Sequence, residues 1–176
     1  MLFVLFQLGQ DRYALEARRV VEVLPLLALK RLPASPRGVA GVFVYRGQPV
    51  PALDLCELTL GRPAREQLST RILLVQHRQT AGPSQLIGLV AERVTGTLRR
   101  EEKDFVPAGH VRPEQQASPA SAPYVAGMKR AATPFLGPIL IDDQGVIQLL
   151  DAQGLLDAGA HQLLLTQSVE VSDAPH

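Results

Sequence analysis

The most constraining feature of the chain is a plan that occurs twice. Val50–Gly61 reads as the end of a strand, an aspartate (Asp54), a short helix and a glycine. Ile147–Gly159 repeats that order, with Asp151 and Gly159 in the matching places. An aspartate at a helix N-cap accepts bonds from the free amides of the first turn, and a glycine ends a helix because it tolerates positive φ. Asp54 and Glu57 also stand at capping-box spacing, so each is expected to accept a bond from a free amide there. Each copy follows a hairpin: Val39–Tyr45 with Gln48–Leu53, and Phe135–Ile141 with Val146–Leu150. Two similar small β-barrels in one chain would produce this pattern.

The remaining strands fit the same class. Leu2–Leu8 is apolar at nearly every position, so both faces should be buried. Tyr13–Leu15, Val20–Leu24, Thr70–Val75, Leu86–Ala91 and Val94–Leu98 are further short runs bounded by turn residues. Arg46-Gly47 forms the first hairpin turn, where Gly47 supplies a positive φ. Pro49 and Pro51, two residues apart, both lack an N–H on one side, which predicts an edge or a bulge there. The expected fold is all-β with short helices: two intertwined SH3-like five-stranded barrels over residues 2–158. Residues 107–123, rich in Pro, Ala and Ser, read as a mobile insertion, and 166–176 as a frayed tail.

Composition excludes several classes. With 46% apolar and 20% charged residues, the chain is neither disordered nor membrane-spanning. One cysteine, Cys56, cannot close an internal disulfide, which fits a reducing cytoplasm. Net charge is +1, with no overall pull toward nucleic acid. Residues 1–100 hold 14 Lys and Arg against 7 Asp and Glu, and the rest 4 against 10. That asymmetry is either uneven solvated surface or a basic face that attracts an acidic partner.

Few residues are placed for chemistry. His77, His110, His161 and His176 are scattered through loops and tail, without metal-ligand spacing. Cys56 sits in a short helix and reads as a buried inert thiol. Asp142 and Asp143 are adjacent in a turn, where aspartate is favoured anyway. No phosphate-binding loop or serine nucleophile elbow occurs. No enzyme activity, cofactor or metal is expected. The rival reading is a β-barrel that binds single-stranded nucleic acid, which would need aromatics interleaved with basic residues on exposed strands.

One run carries more information. Glu22 within Val20–Leu24, Pro33 and Pro36, then Gly41 through Arg46-Gly47-Gln48 to Asp54-Leu55, resembles the signature of CheW-like coupling proteins, with Gly88-Leu89-Val90 and Leu150-Asp151 matching further on. The resemblance covers residues 2–158 and is most specific over Gly41–Leu55. It implies the paired-barrel fold and an adaptor coupling chemoreceptors to a CheA-type histidine kinase, associated with receptor arrays at the membrane but not inserted in it. It implies contact with the receptor's cytoplasmic tip through Tyr45, Arg46 and Gly47, and with the kinase regulatory domain through Val21, Glu22 and Val23. Gly41, Asp54, Glu57 and Asp151 are then structural. Self-association is left open. The chain departs from the family at Val44-Tyr45, where Asn-Leu is usual, and at Ala91-Glu92, where an Asp is common. Its opening Leu2–Leu15 looks most like the Wsp-type surface-sensing variants.

Overall fold

Local turn chemistry sets the strand boundaries. The structure, a computed structural model, describes residues 1–77, 84–107 and 135–156. Strand β1 (Leu2–Leu8) turns through Gly9, at φ 65°, into β2 (Asp11–Glu16). A single 3-10 turn leads to β3 (Val20–Pro25). Then come β4 (Val39–Tyr45), β5 (Gln48–Asp54) and the helix α1 (Leu55–Leu60). Strands β6 (Arg71–His77) and β7 (Gln85–Arg99) follow, and β8 (Leu136–Asp142) with β9 (Gly145–Leu150) closes the series. Residues 152–156 are helical. Of the sequence expectations, the 107–123 insertion beyond Pro107, the 166–176 tail, the Gly159 stop, His110, His161 and His176 lie outside the described residues.

The nine strands form two five-stranded barrels that share β7. One has the order β3-β6-β7-β5-β4 and the other β7-β1-β2-β9-β8. The sense of pairing is the same in both. In the first, β3–β6 and β6–β7 are antiparallel and β7–β5 is parallel. In the second, β7–β1 and β1–β2 are antiparallel and β2–β9 is parallel. Each last strand pairs with its hairpin mate, β5 with β4 and β9 with β8. An isolated bridge helps close each barrel: Lys30 with Val42 in the first, Val106 with Ile139 in the second. The repeated plan in the sequence is therefore a repeat in space. The second barrel is completed by β1 and β2 from the other end of the chain, which is what intertwines the two.

Three apolar clusters explain why several strands lack alternation. Phe43, Val50, Ala52, Ile72, Leu74 and Val90 fill the first barrel. Phe3, Ala14, Phe105, Leu140 and Ile147 fill the second. The largest cluster lies between them and takes the opposite faces of the same strands: Val4, Phe6 and Leu8 of β1, Leu73 and Val75 of β6, Ile87 and Leu89 of β7. Because side chains alternate across a strand, each of these strands buries one face in a barrel and the other against the second barrel. Gly88 faces the first barrel's interior, where a Cβ would stand 2.7 Å from the Phe43 ring.

Four local expectations need correction. Glu57 does not complete a capping box with Asp54, because the Asp54 amide donates instead to the Gly38 carbonyl at 2.8 Å. Asp54 does cap α1, accepting from Cys56 N and Glu57 N. The runs Leu86–Ala91 and Val94–Leu98 are one strand, bent where Arg93 takes φ 44°. His77 is not in a loop; it ends β6 and is buried. Finally, β5 is an edge only over its proline-bearing half, since from Ala52 onward it pairs with β7. Asp151 behaves as expected, its Oδ1 accepting from Gln153 N, and its amide donates to Phe135 O as that of Asp54 does to Gly38 O.

Candidate functional site

The β4–β5 turn is a two-residue loop with Arg46 at φ 48° and Gly47 at φ 78°. Positive φ at both central residues matches the twist of the flanking strands, and glycine covers only one of them. Arg46 is therefore held in a conformation that non-glycine residues seldom adopt. Its side chain is 78% exposed.

The tip does not stand alone. The Tyr45 hydroxyl donates to the Glu22 carboxylate of β3. Arg46 Nη2 lies 3.6 Å from Glu22 Oε2, and the Arg46 guanidinium sits 5.0 Å from the centre of the Tyr45 ring. The hydrogen bond to Glu22 raises the Tyr45 pKa above its ordinary value. The residues assigned from the sequence to two partners thus form one cluster. Around it, among the described residues, β3 pairs with β6 and β4 with β5, and β4 meets the segment after β3 only at the Lys30–Val42 bridge. Val21, Val23 and Val44 are exposed on these two edge strands. Exposed ion pairs contribute only about 0–1 kcal/mol to stability, so this cluster does little to hold the fold. Apolar residues on an open strand edge are a liability that a partner can cover.

Sequence reasoning missed a second constellation. Glu92 is 4% exposed, at the end of the apolar run in β7. Arg62 Nη1 donates to its Oε1 at 2.8 Å and Arg62 Nη2 to its Oε2 at 3.2 Å. The amides of Arg65 and Gly9 donate at 2.7 and 3.4 Å. The Arg62 pair, followed by these amides, holds the Glu92 carboxyl down at about 2 against the opposing effect of burial. Such a carboxylate is a poor base and its oxygens are already engaged, so the cluster carries no acid–base chemistry. The available signal was an acidic residue closing a run of buried β positions, since a carboxylate there must be paired.

That low value has a pH consequence. The folded pKa is about 2 against an ordinary 4.5, so the contribution is complete above 4.5 and is lost as pH falls toward 2. The stability difference between wild type and Glu92→Gln should therefore shrink across that window in urea unfolding. A difference that stays constant from about pH 6 to pH 3 would contradict this.

Two further titratable groups are shifted by their surroundings. Asp142 makes a two-pronged pair with Arg12, at 2.6 and 2.9 Å, which holds its carboxyl below the usual range. Cys56 is buried, and burial pushes its thiol up to about 12, leaving it inert near neutral pH. Among the described residues no three His, Cys, Asp or Glu side chains are grouped as a metal site requires. No helix among them is long and apolar enough to cross a membrane. All five phenylalanines and Tyr13 are buried, so Tyr45 is the one accessible aromatic among the described residues. A nucleic-acid groove would need several such rings as stacking platforms.

Comparison with known proteins agrees with this architecture. Residues 2–160 match the CheW-like domain. The chain is 31% identical to the chemotaxis protein CheW of Helicobacter pylori over 106 residues, which is 60% of this chain and 61% of that protein. It is 30% identical to the protein FrzA of Myxococcus xanthus over 130 residues, 74% of each. The fold is similar to that of the scaffolding protein TtCheW from Thermoanaerobacter tengcongensis, with a TM-score of 0.67, 21% identity, and coverage of 88% of this chain and 86% of that one.

Proposed function

Because the chain belongs to the CheW-like domain family, we propose that it is a coupling adaptor of a chemosensory array, linking chemoreceptors to a CheA-type histidine kinase without turnover of its own. The observation that carries this reading is the exposed Glu22–Tyr45–Arg46 cluster on β3 and the β4–β5 hairpin. In this role Arg46, Gly47 and Tyr45 face the receptor's cytoplasmic tip. A rigid turn there offers a guanidinium with five donors to acidic helical side chains. The β3 edge, with Val21, Glu22 and Val23, faces the kinase regulatory domain. Since Glu22 already engages Tyr45 and Arg46, a receptor carboxylate that takes Arg46 competes with Glu22, so the two contacts influence each other.

Titration with a CheA-type regulatory domain tests the reading. Binding is expected in the micromolar range of transient signalling contacts, and none up to about 100 μM with folded protein overturns it. Arg46→Ala should weaken receptor coupling at least about tenfold while changing stability by under about 0.5 kcal/mol. A larger loss of stability in thermal unfolding would make Arg46 a structural residue instead.

A further inference from the structure

Strand β7 belongs to both barrels, and it passes from one to the other within a few residues. Up to Ala91 it pairs with β6, and from Gly96 to Arg99 with β1. Between the Gln7–Glu92 and Leu5–Gly96 pairs, one residue of β1 opposes three of β7, and Arg93 bends the strand at φ 44°. Glu92 stands immediately before this bend.

Its partners come from both sides of the crossing. Gly9 lies in the β1–β2 turn of the second barrel, while Arg62 and Arg65 lie in the segment after α1, against the first. That segment is itself pinned: Ala64 N donates to Asp54 Oδ2 at 2.7 Å, Thr70 Oγ1 to Arg65 O at 2.6 Å, and Val94 N to Ser69 O at 3.0 Å. The apolar cluster between the barrels supplies attraction, but hydrophobic contact has no preferred direction and tolerates small rotations. A bidentate arginine–carboxylate pair has a fixed planar geometry, and in a buried setting its hydrogen bonds are directional.

We propose that Glu92 is a positioning residue: held by Arg62, Arg65 and Gly9, it fixes the angle at which the two barrels cross. This goes beyond the adaptor reading and does not rest on it.

Spin labels on Gln48→Cys in the first barrel and Asp143→Cys in the second would report the crossing angle as a distance distribution. Cys56 can remain, being buried with an unreactive thiol. Wild type should give one narrow distribution, and Glu92→Gln one at least twice as wide. Arg62→Gln, which removes a partly exposed partner and leaves the two backbone donors, provides the same readout if Glu92→Gln does not fold. An unchanged width in the folded variant, with only a lower melting temperature, overturns the proposal by making Glu92 an ordinary stabilising residue.

Discussion

Gly41→Ala should destabilise the protein by about 3–5 kcal/mol, from about 1–3 for a strained backbone and about 1 for each of two weakened bridge bonds. Gly41 takes φ 142°, and a Cβ built on it would stand 2.5 Å from the Lys30 carbonyl oxygen. That oxygen accepts from Val42 N at 2.9 Å, and Lys30 N returns a bond to Val42 O at 2.9 Å. The obstacle is backbone, so no side chain can move aside. The two bonds close the first barrel next to the hairpin that carries Arg46. Urea unfolding would give the energy, and amide exchange at Lys30 and Val42 would show whether the damage starts there. A loss under about 1 kcal/mol would mean that the bridge shifts freely and does not close the barrel.

Asp54→Ala should also cost about 3 kcal/mol, well above the roughly 1 kcal/mol of a helix cap alone. The cap accounts for the bonds from Cys56 N at 2.8 Å and Glu57 N at 3.1 Å. The further bond from Ala64 N ties the segment after α1 to the same carboxylate, which is 5% exposed. Removing the side chain leaves three amides in and around a buried site without their acceptor. Asp54→Asn separates the two contributions: it keeps one acceptor oxygen for the cap but can present a donor toward Ala64 N. Its cost in urea unfolding should fall between those of wild type and alanine. An alanine variant that loses only about 1 kcal/mol would show that the Ala64 contact contributes nothing.

What was legible in the chain was local. The Arg46-Gly47 turn, the Asp54 and Asp151 caps and the Gly61 stop each depend on a few adjacent residues, and each lies where the residues imply. The unbroken apolar run Leu2–Leu8 also conveyed something longer in range, a strand with both faces covered. The failures were distant in sequence. Nothing near Glu92 announces that Arg62, 30 residues away, and Gly9, 83 away, converge on it. Glu57 failed for the same reason, because Gly38 supplied the acceptor that a local rule assigned to it. The candidate cluster was half legible. Glu22 and Arg46 were both singled out, but their meeting depends on how β3 and the β4–β5 hairpin approach each other, which no spacing encodes.

The exchange of strands between the barrels also dictates an order of assembly. Strands β3 to β7 are nearly complete once residue 99 has left the ribosome, so the first barrel can form early. The hairpin at residues 2–16 emerges before any of them, yet its parallel partner β9 is made only at residues 145–150. Until then Phe3 and Ala14 have no finished interior to enter. Pairing over such a span is slow, and waiting apolar strands invite aggregation. The chain therefore makes the β1–β2 hairpin before the first barrel, yet encloses it only after that barrel can form.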